Sequence, residues 1–377
     1  MTAVQVVDSE AWSAEDTDLD SVVKALRHVR TAVRTDEEEG VGVPQEVTEA
    51  AALNLIASAA DPGLLDEAGE VIVNLAQSHP SRSILFLRSK RGEDGLSAHV
   101  HAFCSFRPGS RRQVCCEQLR IEGRGGYADQ LHSIVQPLLV PDVPVFVWWR
   151  GAPPLRTTMY DRLRELSQRM VVDSSGFREA FAALAEEVVK CTSKHCSISD
   201  LAWARLEIWR EQIARLFDPP DTRIYLGQIE SVSVTTTAPD YPTEAVLLLS
   251  WAGSRLGWES TRRVQSEGKG WTCSFRHGGR TIECAIEPSP TNTPVSLHEA
   301  ITSVTIVAGE ARLELMMAPG ARSISQRVRL AGETMAEGSS GVIHPDLTTL
   351  LSREVELIEN DEVYERAVAL GAVVVGG

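Results

Sequence analysis

From Val143 to Trp149 the chain reads Val-Pro-Val-Phe-Val-Trp-Trp, with no polar side chain, between Pro141 before it and Gly151, Pro153 and Pro154 after it. A run this short, apolar and rich in Val and aromatics fits a strand covered on both faces, as in the middle of a parallel sheet. Gly151 and the Pro153-Pro154 pair then stop strand and helix alike. Trp148, Trp149 and Arg150 therefore stand at the strand's carboxyl end, the side on which open α/β sheets present ligand sites. Successive strand residues point to opposite faces, so the two tryptophans cannot enter one core.

The rest of the chain must cover both faces of such a strand, and 377 residues are too many for one ordinary core. Two domains are expected. With 43% hydrophobic and 24% charged residues the composition is globular. A net charge of −15 excludes a dedicated binder of nucleic acid or of anionic membranes. Twelve acidic and four basic residues fall within the first 50, so an acidic segment leads into a milder body. No run approaches the roughly 20 apolar residues of a membrane span. Met1–Gln5 lacks the basic-then-apolar order of a secretory leader, and seven cysteines, an odd number, fit a reducing compartment. A cytoplasmic location is expected.

In chain order, residues up to about 16 read as loose, and a helix starts at Asp20 or Ser21 and ends in the acidic Asp36–Gly40 loop. Helices are expected over 48–60 and 64–77, then a buried strand at Ser83–Leu87 and strands at Ala98–Phe103 and Arg112–Ile121. Gly123-Arg124-Gly125-Gly126 opens a helix to about Leu139, and the tryptophan strand comes next, a βαβ-like unit. Helix, strand and helix continue over 155–166, 170–172 and 177–190, with a connection over 191–199. Leu206, Trp209, Ile213 and Leu216 line one helix face; Ser197 and Asp200 fit a capping box, and Asp218-Pro219-Pro220-Asp221 stops the helix. Beyond it come a strand at Ile229–Thr236, a helix over 242–256, short strands at 271–276, 281–287, 303–307, 312–316 and 326–330, and helices over 345–357 and 361–370. The expected architecture is an acidic segment with a helix (1–45), an α/β domain with a mostly parallel or mixed sheet (46–195), and an α+β domain with a mainly antiparallel sheet (196–377).

Gly123, Arg124, Gly125 and Gly126 ahead of a helix could hold a phosphate on backbone N–H groups, although their spacing is neither a dinucleotide fingerprint nor a Walker loop; a simple turn is the competing reading. His79, His99 and His101 have no ligand-spaced partners, so no metal or other cofactor is expected. No nucleophile, acid–base pair or triad pattern emerges. Gly278-Gly279 makes a two-residue hairpin turn, and counting outward places Cys273 opposite Cys284, about 5.5 Å between Cα atoms. Packed thiols and a redox pair both fit that register. Cys191 and Cys196 flank a loop with Lys194 and His195, an environment that suits a thiolate. Trp148, Trp149, Arg150, Trp203, Arg210 and Asp218 combine the aromatic and arginine types that interfaces favour with element ends, and form the candidate interdomain or partner-facing set.

Three stretches carry a resemblance: Pro141–Pro154 (PDVPVFVWWRGAPP), Leu201–Asp221 (LAWARLEIWREQIARLFDPPD) and Leu247–Trp258 (LLLSWAGSRLGW), with Asn54-Leu55-Ile56 and His79-Pro80-Ser81-Arg82 upstream. Together, in this order over roughly residues 45 to 370, they resemble the OpcA family, the glucose-6-phosphate dehydrogenase assembly proteins of cyanobacteria and actinobacteria. The resemblance implies a non-catalytic partner of glucose-6-phosphate dehydrogenase that promotes its active oligomer, raises its activity and so supports NADPH production in the oxidative pentose phosphate pathway. It also implies that no catalytic residues are to be sought. Thiol oxidation tunes the association in some cyanobacterial relatives, but the cysteines here do not match theirs position by position, and none lies beyond Cys284. The alternative is a regulatory protein binding a small molecule or sugar phosphate, with Gly123–Gly126, Arg150 and the tryptophan pair around a pocket at the sheet's carboxyl edge. An unrecognised enzyme using that cleft is the third reading.

Overall fold

The computed structural model describes residues 6–35, 47–49, 51–76, 78–106, 113–176, 181–192, 196–237, 242–268, 270–289, 300–318, 320, 322–357 and 359–376. They form two compact units: Met1–Asp173 with Lys194–Ser199 and Leu347–Glu359, and Ser174–Ser193 with Asp200–Asp346 and Asn360–Gly377. The chain passes between the units near residues 173, 193, 199, 346 and 359. The acidic Asp36–Gly40 loop lies outside the described residues.

The first unit is built on a nine-stranded sheet. Its strands are β1 Val6–Ala14, β2 Val47–Glu49, β3 Leu53–Ala59, β4 Ser81–Ser89, β5 Gly95–Phe106, β6 Gln113–Arg124, β7 Val145–Arg150, β8 Arg169–Val172 and β9 Ser197–Asp200. They lie in the order β1-β5-β6-β4-β3-β7-β8-β9, with β2 on β6. The pairs β6/β4, β4/β3, β3/β7 and β7/β8 are parallel, whereas β5 and β1 extend the sheet antiparallel beyond β6. The expected tryptophan strand is β7, central and with every residue buried. From β3 the order runs outward to β4 and β6 on one side and to β7 and β8 on the other, the doubly wound arrangement.

Two expectations fail here. Leu53–Ala59, expected inside a helix, is β3, and all seven of its residues are buried. Asn54 and Ser58 stand four apart, a spacing that a helix also uses, and apart from Ile56 the residues are not strand formers; the ladders to β4 and β7 decide the matter. Val6–Ala14, expected to be loose, is the edge strand β1 on β5. The helix Pro62–Leu75 comes after β3, with Asp61 capping it by accepting from the Leu64 N–H at 3.1 Å.

The second unit holds an eight-stranded sheet: β10 Ile229–Thr236, β11 Glu259–Glu267, β12 Gly270–His277, β13 Arg280–Pro288, β14 Ile301–Ala308, β15 Ala311–Met317, β16 Ser323–Leu330 and β17 Glu333–Gly341. Only β10/β13 is parallel; the other pairings are antiparallel, as expected of an α+β unit. The helix Thr243–Leu256 packs on β10 and on the last helix, Glu362–Val375, which also contacts the helix Phe181–Thr192. The outermost strands β11 and β17 were not legible because edge strands need no apolar alternation: seven of the nine residues of β17 are exposed.

Candidate partner-facing site

At the carboxyl end of β7 the side chains turn inward. Trp148 and Trp149 are both 0% exposed and Arg150 is 8% exposed. The Arg150 guanidinium lies 4.9 Å from the Trp148 ring centre and forms an ion pair with Glu67 of the helix Pro62–Leu75. Trp149 stacks on Tyr160 at 6.0 Å, with Arg88 5.4 Å from its centre. This end of β3 and β7 is where the strand order reverses and a doubly wound sheet would hold a nucleotide. Here Pro62 removes a donor from the first helical turn and the Asp61 carboxylate occupies its cap, so a pyrophosphate would meet a negative charge. Arg150 and the tryptophans thus brace an interior rather than line an open pocket.

The glycine stretch differs from the expected helix start. Gly123 and Arg124 end β6, and the chain from there to Leu138 is broken into three short pieces, Gly125–Asp129, Leu131–Val135 and Gln136–Leu138. Gly125 has φ 56°, and a Cβ there would collide with the Asp94 carboxylate. The Gly126 N–H donates to Asp94 Oδ1 at 2.7 Å. The position a phosphate would take is filled by the chain's own carboxylate, and Arg124 is engaged with Asp16 and Ser97.

In the second unit the signature around Leu201–Asp221 forms two helices, Leu201–Arg205 and Glu207–Leu216. The cap is Asp200 rather than Ser197, which lies in β9: Asp200 Oδ1 accepts from the N–H groups of Ala202 and Ser174, both at 3.0 Å, and Oδ2 accepts from the Tyr364 hydroxyl at 3.3 Å. Trp203 is buried, its Nε1–H donates to Asp361 at 2.7 Å, and the Arg210 guanidinium covers its face. Asp218 is exposed at the end of the second helix.

Asp218 also stands at the mouth of an apolar cavity of about 300 Å³. Ile213 and Phe217 wall it from one signature segment, Leu249, Trp251 and Trp258 from another, and Ile306 from β14. Arg223 and Arg255 share the rim with Asp218. Sequence reasoning missed this cavity: the spacing of Leu206, Trp209, Ile213 and Leu216 marks one helix face and 242–256 reads as a helix, and nothing in either segment says that the two would leave a space between them.

The hairpin register is as expected: His277, Phe275 and Cys273 pair with Arg280, Ile282 and Cys284 across Gly278 and Gly279, which take φ 57° and 79°. Both cysteines are buried without a disulfide, and the hydrogen bond with Cys273 together with burial pushes the Cys284 thiol well up. Cys191 and Cys196 are buried as well, and Cys196 Sγ lies 3.6 Å from Ser167 Oγ. Lys194 and His195, the cationic neighbours expected to favour a thiolate, lie outside the described residues. His79 bonds Ser352 at 2.9 Å and Glu356 at 3.1 Å. Among the described residues no group of three His, Cys, Asp or Glu side chains is placed to hold a metal, and no helix is long and apolar enough to cross a membrane.

Residues 73–187 match the family domain described as the glucose-6-phosphate dehydrogenase subunit N-terminal domain, and residues 196–368 match the corresponding C-terminal domain. The chain belongs to the OpcA family. A relative from Synechocystis, named "Putative OxPP cycle protein OpcA", is 28% identical over 193 residues, covering 51% of this chain and 40% of the relative. One of the same name from Nostoc punctiforme is 28% identical over 209 residues, covering 55% and 44%. The matched part of this OpcA-family chain thus spans less than half the length of these relatives. Among solved structures, a probable oxidoreductase shares 11% identity at a TM-score of 0.49, covering 86% of this chain and 95% of the other. Neither chemistry nor ligand transfers at that level of likeness.

Proposed function

We propose that this OpcA-family protein is a non-catalytic assembly factor of glucose-6-phosphate dehydrogenase, acting in the cytoplasm and raising the enzyme's activity by favouring its active oligomer, and so supporting NADPH production in the oxidative pentose phosphate pathway. The observation that carries this reading is the pair of consecutive matches to dehydrogenase-subunit domains over 73–187 and 196–368. The oxidative pentose phosphate wording in the relatives' names agrees with it. A non-catalytic role is supported by the Asp61 cap and the Arg150–Glu67 pair, which spend on the fold the groups a nucleotide site would use.

An activator must bind the active state of its enzyme more tightly than the inactive one; each tenfold difference shifts that equilibrium by about 1.4 kcal/mol. The surface best suited to this is the apolar cavity, whose walls come from two of the signature segments and whose rim carries both signs of charge. A buried apolar anchor ringed by polar groups is the usual form of an interaction hot spot. Asp218 contacts the dehydrogenase directly in this reading. Trp203 and Arg210 hold the helix that carries it, and Trp148, Trp149 and Arg150 act from the interior.

The test is to assay the host's glucose-6-phosphate dehydrogenase with and without the full chain while its oligomeric state is monitored by light scattering. The expected result is a faster rate and a shift to the larger assembly, both lost with Ala214→Trp, which places an indole over the cavity from an exposed helix position. No change in rate or assembly with the unmodified chain overturns the proposal.

A further inference from the structure

The antiparallel extension of the first sheet carries an unexpected polar face. His99 and His101 of β5 lie directly across from Arg120 and Gln118 of β6. The cross-strand rows run Leu85–Arg120–His99–Ser13 and Ser83–Gln118–His101–Ala11, so both rows are polar where they cross β6 and β5. The opposite side of β5 is ordinary core, with Val100 and Ala102 buried, and the helix Leu19–Thr35 packs on β5. Along the helix Pro62–Leu75, Asp66, Glu70 and Asn74 recur every four residues and therefore share a face.

These two faces form the walls of a cleft of about 560 Å³. Arg120 and Asp66 join the walls by an ion pair of 2.6 Å. A second polar hollow, of about 280 Å³, continues past His99 and Arg120 toward Ser13, Ser97 and Glu122. Gln118 is 6% exposed, yet its amide nitrogen has no hydrogen-bond partner among the described residues. Buried side-chain donors are normally satisfied, and this one lines the cleft.

We infer that this cleft is a binding site for an uncharged polyhydroxylated compound of monosaccharide size. The sheet wall offers donors from Gln118, Arg120 and the imidazoles, and the helix wall offers carboxylate and amide acceptors. A hydroxyl both donates and accepts, so a ring of hydroxyls satisfies both walls at once. A simple anion would face Asp66 and Glu70, and a simple cation would face Arg120. The volume falls within the range of small-molecule pockets. The cleft is lined by residues of β4, β5, β6 and the helix Pro62–Leu75, not by β3 or β7, and the inference does not rest on any association with the dehydrogenase.

The 377-residue chain is to be titrated with myo-inositol and with D-glucose by calorimetry and saturation-transfer NMR, with inorganic phosphate and zinc chloride in parallel. At least one polyol is expected to bind saturably. Gln118→Leu, which removes the unpaired donor, is expected to weaken binding about tenfold, the worth of one well-placed hydrogen bond. Asn74→Trp, at an exposed helix position lining the cleft, is expected to weaken it at least as much with unchanged circular dichroism and melting. The inference is overturned if neither polyol binds saturably, if binding survives both substitutions, or if only phosphate or only zinc binds.

Discussion

The guanidinium carbon of Arg210 lies 3.4 Å from the centre of the Trp203 ring, while the edge of the same indole donates its N–H to Asp361 at 2.7 Å. A cation sits where the ring is negative and a carboxylate where it is positive, so both ends of the indole's charge distribution are used. Asp361 in turn caps the helix Glu362–Val375, its Oδ1 accepting from the Val363 and Tyr364 N–H groups at 2.9 Å. One side chain thereby links two signature helices to the last helix of the unit.

Trp203→Phe keeps a ring in place but removes the donor to Asp361 and weakens the attraction for Arg210. A loss of about 1–3 kcal/mol is expected from those two interactions, read as a lower denaturant midpoint at unchanged slope. Arg210→Lys should recover little of what Arg210→Ala loses, because an ammonium cannot lie flat on the ring.

Arg205 and Glu244 form an ion pair at 3.1 Å with both side chains 5% exposed. The pair ties the helix Leu201–Arg205 to the start of the helix Thr243–Leu256, and Arg205 also bonds Ser175 at 2.9 Å. Glu244→Leu leaves a cation buried without its counter-charge, and about 3–5 kcal/mol is expected to be lost. Arg205→Met with Glu244→Leu should return most of it. A double-mutant cycle by chemical denaturation checks this, and additive losses would show that the two do not act as a pair.

Where burial and period agreed, the sequence was readable. The strand Ile229–Thr236 alternates buried and less buried positions along most of its length and was legible to the residue, and the Gly278-Gly279 turn set the register of a whole hairpin. The tryptophan strand was equally plain, but what its ending does was not. Arg150 looked like a ligand group at a sheet edge because Glu67, 83 positions away, cannot be seen from it. Asp94 is likewise 32 positions from the Gly126 N–H it occupies. The polar cleft was half visible, since His99 and His101 stand two apart in the expected strand Ala98–Phe103 and so share a side. Its other wall needed the pairing of β5 with β6 and the placement of a helix, and these are tertiary facts.

Cys116 is 3% exposed in a cluster with Ala76 and Phe103, and burial pushes its thiol up to about 11 from 9.0. Below pH 8 folded and unfolded chains both keep this proton, and its contribution to stability is constant. Between pH 9 and 11 the unfolded chain releases the proton while the folded chain retains it, so stability falls as pH rises. About 3 kcal/mol of the folded state's advantage is expected to disappear over that window. The check is the difference in unfolding free energy between the natural chain and Cys116→Ala: it should be flat from pH 6 to 8 and slope above pH 9, whereas a difference that stays flat to pH 11 would rule out a buried thiol.

Asp218, Arg223 and Arg255 frame the apolar cavity, and all three are exposed. Arg223 is held by bonds to the carbonyls of Phe217 and Asp218, at 3.5 and 2.5 Å, so its removal would disturb the rim as well as its charge. Asp218→Lys and Arg255→Glu are cleaner changes, since neither side chain is buried and surface substitutions of this kind shift stability by no more than about 0.5 kcal/mol. If the rim meets the dehydrogenase, each reversal should slow association several-fold and alter its salt dependence, because rim charges act mainly on the encounter. Dissociation should change less, being set by the apolar contact within. Surface plasmon resonance at two ionic strengths separates these effects. Equal association rates for both reversals and the natural chain would move the dehydrogenase contact away from this cavity.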